Sequence, residues 1–467
     1  MTHPTMDTKI PLQFEDLPSP GLAHRRGILQ AQALQETQTL LWFGARYFQI
    51  NLREPSESVA FIEDHPHPLP PDMVVDHCEE WSDIGDTDPD VMVDRDIDFP
   101  HYADASFELP VSADTLFLIS RNSNPRHRRG VYAGGHVSYV QSEEVSDSVK
   151  VDITAYFWHE KILGSSKACL LKRDEDQTGV GIFTRSDGKD HRHRRRSEHE
   201  RLRFDVTVTF PSTEDGSSLA INRFFTDLEI FAQTFADFSH VNFGKLQLKS
   251  VIGGLHAESL SAGNASINTA VGSVKIQSLV APEAFISNAM GPIEGTYNGS
   301  KLTLTTSNGA INVDVNLHND DDDAAQLKMH TTNGPIQGNV NLLSSKEDPA
   351  SFNIAARTAH GRVGVDVLSA PLNSNITLQA TTAIGAAEIS LPPSYEGAFS
   401  GSTSLGSVDI AADGEVEDPA GEDRERKIEF SEVGRNRKVG RVGWSDEGMA
   451  RGKVSVVTSM APVRIQF

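Results

Sequence analysis

The side chains best able to do chemistry are carboxylates, histidines and arginines, and they gather in a few stretches. In DTDPDVMVD, Asp86, Asp88 and Asp90 take the first three ligand positions of a calcium loop, where oxygens at alternate residues can surround a hard cation. The sixth position lacks the glycine that bends such a loop, and Ile97 stands where a bidentate glutamate would close the shell, so a solvated acidic stretch is expected. His65 and His67 lie among prolines with no further ligand close in sequence, too few donors for a metal. Lys189–Arg203, KDHRHRRRSEHERLR, holds seven Lys or Arg and three His, a net charge of +4 with the histidines neutral. It reads as a hairpin tip, or as a nuclear-localisation or polyanion-contact patch, and PRHRRG (Pro125–Gly130) adds a second basic loop.

A pair of acids could cleave glycosidic bonds if held roughly 5–10 Å apart. Here the acids of the second half fall mostly between periodic segments, at Asp320–Asp323 and in DGEVEDPAGEDRER (Asp413–Arg426), where mobile loops would not fix that separation. No G-x-S-x-G, Walker loop or H-E-x-x-H occurs. GVGIFT (Gly179–Thr184) lacks the third glycine of a dinucleotide fingerprint and reads as a turn. No catalytic, cofactor-binding or metal-binding residue is therefore assigned, and no cofactor is expected. Cys78 and Cys169, far apart in unrelated contexts, argue against a disulfide scaffold and a thiolate metal site.

Charge narrows the partners. The 467 residues carry −23, of which residues 51–110 supply −15, from 17 Asp or Glu against two Arg. Specific nucleic-acid binding is not expected, because phosphate contact needs concentrated Lys and Arg. No basic start leads into an apolar run and no stretch approaches eighteen apolar residues, so neither a secretory signal nor a transmembrane segment is expected, and a reducing, cytoplasmic location is the default.

The elements that would position these groups are strands. Residues 1–110 read as a largely disordered, acidic, Pro-rich arm with one possible helix at 27–48. Residues 111–242 form a β-rich part, with alternating runs such as RLRFDVTVTFP and the basic insertion at 189–203. From 243 to 467 a phrase repeats. TTSNGAINVDVNL (Thr305–Leu317) returns as HTTNGPIQGNVNL (His330–Leu342), and aligned glycines fall at 253, 272, 291, 309 and 334, spaced 19, 19, 18 and 25 residues. Weaker copies surround Gly361, Gly385 and Gly406, and Ala461 replaces the glycine of the last. A period near twenty marks stacked units. Period-two alternation buries one face of each strand, and a glycine with positive φ is expected at each corner, Gly309 and Gly334 included, with Gly299 outside the alignment. The fold expected is all-β, a Gly/Thr-rich β-solenoid, with a β-meander or sandwich as the alternative.

Repeats of the form φxφxTxxGxIxφ (φ, an apolar residue), led by FDVTVTFP, resemble the bacterial putative-adhesin domain family of unknown function and its fungal relatives. The resemblance covers about residues 200–467. It implies a β-repeat architecture and a non-enzymatic adhesin-like binding or structural role toward an unknown protein or glycan, and it supplies no catalytic residues. A carbohydrate-active parallel β-helix enzyme is the alternative.

Overall fold

A computed structural model describes residues 60–62, 65–86, 99–122, 132–185, 201–346, 349–411 and 416–467. The expected helix at 27–48 and the loop Pro125–Gly130 lie outside these residues, as does the insertion up to residue 200. The described residues are almost wholly β, with 29 strands among them joined in one mostly parallel ladder.

The solenoid forms because the repeat places an apolar residue at every second position on both sides of its corner. Before the corner, Glu283–Met290, Lys301–Asn308, Ala325–Asn333, Ser351–Thr358 and Asn375–Thr382 stack in parallel as one sheet. After it, Val274–Val280, Ile293–Gly299, Ile311–His318, Ile336–Leu343, Val363–Ser369 and Ala387–Ser390 stack as a second. The two recurring phrases are thus spatial neighbours: Leu302, Leu304 and Thr306 lie opposite Leu327, Met329 and Thr331. Their inward side chains are buried between the sheets, as are Ile311, Val313, Val315 and Leu317. Each fully buried Leu, Ile or Val contributes about 1.5–3 kcal/mol from the apolar surface it removes from water. The solenoid, not the meander, is the observed topology.

The T-x-x-G signature has a bonding reason. The hydroxyls of Thr306, Thr331, Thr358 and Thr382 donate to the carbonyls of Gly291, Gly309, Gly334 and Gly361, each in the preceding coil, at 3.1, 3.0, 3.0 and 2.8 Å. The threonine three residues before the corner glycine is therefore an inward residue that satisfies a buried corner carbonyl. The glycine requirement differs from the expectation. Gly334 does have positive φ, 157°, but Gly309 is not among the positive-φ glycines. What both share is close approach: an added Cβ would lie 2.0 Å from the Gly309 carbonyl oxygen at residue 334, and 1.9 Å from that of Gly291 at residue 309. Gly299 is no neutral comparison either, since a Cβ there would come within 2.1 Å of the Ala281 oxygen.

Two expected boundaries and one expected turn differ from the structure. Residues 65–86 and 99–110 of the expected arm form strands, and His101–Pro110 pairs along its whole length with Ser148–Phe157, burying Ala103, Ala105, Phe107 and Leu109. Acidic composition hid this strand because Asp104 and Glu108 occupy its outward positions. The divide at 242/243 falls inside one strand, Phe231–Ile252, so the β-rich part and the repeat form a single stack. GVGIFT is no turn; it lies in Gln177–Thr184, a strand flanked by Thr115–Asn122 and Ser166–Asp174. The cysteine reading is also overturned: Cys78 and Cys169 are register partners in antiparallel strands and form a disulfide. Sequence separation gave no hint of a pairing that only the sheet register creates.

Antiparallel strands cover both ends of the stack. Toward the N-terminus Ser166–Asp174 and Val74–Glu79 close one sheet, and Ser148–Phe157, His101–Pro110 and Ser82–Asp86 close the other. At the far end the hairpin Lys427–Val433 and Arg437–Gly443 covers Gly397–Thr403. Such covers protect the open strand edges of a solenoid. The final coil breaks sequential order. Gly452–Thr458 lies between Asn375–Thr382 and Gly397–Thr403, and Val463–Gln466 lies between Ala387–Ser390 and Val408–Ala411.

Candidate functional site

The outward residues of the second sheet form a flat polar grid. Strands in register place Asn298, Asn316 and Asn341 in one row, because equal offsets from the corner bring like residues together. Asn316 Nδ2 donates to Asn298 Oδ1 at 2.6 Å, Asn341 Nδ2 to Asn316 Oδ1 at 3.1 Å, and Ser369 Oγ to Asn341 Oδ1 at 3.0 Å. Beside this row Asn339 Nδ2 donates to Asp314 Oδ1 at 2.8 Å, and Gln337 Nε2 to Asp366 Oδ2 at 2.9 Å. Each side chain is fixed by its neighbour, while the second amide proton and remaining lone pairs stay open to a ligand. Asp314 and Asp366 stand two coils apart, roughly 10 Å at the usual strand spacing. The sequence reading placed the repeat acids mostly in loops and did not single out these two; the alternation INVDV was the signal, because it points Asp314 to the same face as Asn312 and Asn316.

A second locus is a small, half-open hollow lined in part by Ser120, Arg121, Thr184, Glu229 and Phe231. Burial pushes the Glu229 carboxyl up from 4.5 to about 7, with Asp227 adding to the rise and the nearby charges of Arg121 and Lys249 opposing it. Arg121 donates to Asp227 Oδ2 at 2.7 Å, and Lys249 lies 3.4 Å from the same oxygen. Ser120 Oγ accepts from the Glu229 amide at 2.8 Å. This is one titrating carboxyl beside an ion-paired cluster.

Among the described residues, both acidic loops hold acids through specific hydrogen bonds, and Asp413–Glu415 lie outside those residues. Asp320 Oδ1 accepts from the Ser345 amide and hydroxyl at 2.9 and 2.7 Å, which holds its carboxyl below the usual range. The Asn319 amide spans the loop to the Asp321 and Asp323 carbonyls. In the second loop Arg424 grips Asp418 through two bonds of 2.8 and 2.9 Å, and that contact holds the Asp418 carboxyl well below the carboxylate range. In the first loop the partners come from adjacent coils, Ser345 for Asp320, Lys346 for Asp322 and Lys301 for Asp323. Of the calcium-like series only Asp86 is described, with its Oδ1 3.0 Å from His101 Nδ1. His65 falls in the strand His65–Leu69, as does His67, and their side chains lie outside the described residues. Arg201 and Arg203 belong to the strand Arg201–Ser212 rather than to the basic insertion, and Arg203 is bound to Asp205 at 3.0 Å. Among the described residues no group of three or more His, Cys, Asp or Glu could hold a metal, and no helix is long and apolar enough to cross a membrane.

Residues 264–467 match the family described as Domain of unknown function (DUF7330), which covers the regular coils and the C-terminal cover. No curated protein matches the chain. Among solved structures, the chain is similar to a "putative cell adhesion protein" from Clostridium sporogenes, at 10% identity and TM-score 0.18, covering 78% of this chain and 98% of that one. It is also similar to a "putative adhesin" from Bacteroides fragilis, at 9% identity and TM-score 0.26, covering 78% and 96%.

Proposed function

We propose that the chain is a non-enzymatic, adhesin-like binding module whose grid of amides and carboxylates receives an extended glycan. The observation that carries this reading is the Asn298–Asn316–Asn341–Ser369 row, a hydrogen-bonded ladder repeating at the strand spacing. A polyhydroxylated chain laid across the coils meets an alternating donor and acceptor at every step, already oriented, which lowers the entropy lost on binding. Glycan-array binding by the purified full chain tests the reading. Retention of a glycan that Asn316→Ala and Asn341→Ala together weaken at least about tenfold, or about 1.4 kcal/mol, supports it. Retention indifferent to both, or binding only to a protein partner, overturns it.

The enzyme reading keeps one specific observation, Asp314 and Asp366 two coils apart on one face, at roughly the upper limit of an inverting acid–base separation. Shortening of a retained glycan, abolished by Asp366→Asn, would favour it over simple binding. Contact with polyanions through Lys189–Arg203 is a separate proposal that rests on net charge alone. The cytoplasmic location expected from the sequence weakens beside the Cys78–Cys169 disulfide, which favours an oxidising compartment.

A further inference from the structure

One corner of the solenoid carries a linear stripe. The residue before each corner glycine is exposed and stacks on its counterpart in the next coil. Ile252, Val271 and Met290 are consecutive register partners, and Met290 then meets Asn308. Asn308, Asn333 and His360 follow, joined by side-chain bonds of 2.7 and 2.8 Å. Ile384, Met460 and Leu405 complete the line, in that order because the last coil is inserted between its two predecessors. The apolar members at both ends are well exposed, Met290 49% and Leu405 70%. The order is three apolar, three polar, three apolar, and it reads the same in both directions from Asn333.

The flanks are small and almost uncharged. Two residues before the glycine stand Val251, then Ala270, Ala289, Ser307 and similar side chains, and one residue after it stand Ser273, Pro292, Ala310 and Pro335. The one permanently charged side chain at these flanking positions is Arg362, and it is paired with Glu388. On a chain of net charge −23, two copies repel through most of their surface, and this corner is a strip where they can approach without that cost.

We infer that this corner is the contact between two copies of the chain, packed antiparallel about a two-fold axis at Asn333. A two-fold interface must be self-complementary. The palindrome meets that condition: Ile252 faces Leu405, Val271 faces Met460, Met290 faces Ile384, Asn308 faces His360, and Asn333 faces itself. A parallel pairing would place each residue on its own copy and would require no such symmetry. Nine coils span roughly 38 Å at about 4.8 Å per strand. A strip that long buries on the order of 800 Å² in total, below the roughly 1,200–2,000 Å² of a stable specific interface, so the dimer is weak and concentration-dependent.

Sedimentation of the full chain over a concentration series tests this. Monomer–dimer exchange is expected, weakened at least tenfold by Leu405→Lys and by Met290→Lys, and untouched by Leu368→Lys, an exposed apolar residue away from the corner. Melting curves on each variant confirm that the fold is intact. Cysteine cross-linking reads the geometry, since the two native cysteines are paired. Asn333→Cys should cross-link to its own copy, and Ile252→Cys only with Leu405→Cys. A chain monomeric at every concentration, a dimer indifferent to both lysines, or Ile252→Cys linking to itself overturns the inference. So does lysine-sensitive binding to lipid vesicles by a chain that never dimerises.

Discussion

Replacing Gly334 by alanine is the sharpest test of how the coils stack. The new Cβ would lie 2.0 Å from the Gly309 carbonyl oxygen, against roughly 3.4 Å for ordinary contact, so the two backbones must part by more than an ångström. That movement loosens the inter-coil hydrogen bonds beside the corner, including the Thr358 bond to the Gly334 carbonyl. Overpacking of one methyl costs about 1–3 kcal/mol, and holding alanine at a φ of 157° adds about 1–3 more. A loss of about 2–6 kcal/mol is expected, seen as a fall in the denaturant midpoint or as a drop of roughly 2–7 °C in Tm. Gly309→Ala separates the two contributions, because it has the close approach without the positive φ, and should lose about 1–3 kcal/mol. Gly216→Ala, with φ of 69° and open space around it, should cost only about 1–2 kcal/mol from backbone strain. If Gly334→Ala melts with the wild type while Gly216→Ala does not, close stacking is not what demands glycine at the corner.

Other substitutions probe the bonds described above. Thr358→Val leaves the Gly334 carbonyl unsatisfied and should cost about 1–2 kcal/mol, whereas Thr269→Val, whose buried hydroxyl has no partner, should be nearly neutral by the same melts. Because the folded-state pKa of Glu229 is raised to about 7, the native state binds its proton more tightly than the unfolded chain. Its contribution is fully present below about pH 4.5 and is lost as pH rises through 7, up to about 3 kcal/mol. Glu229→Gln should flatten that part of the stability–pH profile, and an unchanged profile would contradict the burial argument. Reducing Cys78–Cys169, which closes a 91-residue separation, should lower stability by about 2–4 kcal/mol in melts with and without dithiothreitol.

The repeat was legible because its physics is local. Alternation in LTLTTSNGAINVDVNL shows which side chains face inward, and the glycine spacing pointed to stacked coils, though not to the last coil that inserts between its two predecessors. What the sequence hid depends on register between distant segments. His101–Pro110 looked like part of a charged arm because only its inward half is apolar, and its partner lies some fifty residues on. Cys78 and Cys169 meet across a ladder that no spacing rule anticipates. The polar grid was half visible: the richness in Thr, Ser and Asn of one face could be read, but the rows joining Asn298 to Ser369 and Asp314 to Asn339 exist only once coils of unequal length are stacked.

The inserted last coil has a consequence for how the molecule is made. A solenoid whose coils stack in sequence order can zip up from its start as the chain leaves the ribosome. Here Gly397–Thr403 cannot take its final neighbour until Gly452–Thr458 has been synthesised, because that strand fills the space between it and Asn375–Thr382. The C-terminal portion must therefore wait, with the coil ending at Thr382 exposing an unpaired edge during the delay. Completion is then a single late closure, in which the final residues lock two coils and the covering hairpin at once. Chains stopped short of residue 452 should keep the earlier coils and offer that open edge to other strands, which makes late truncation a route to aggregation rather than to a shorter working protein.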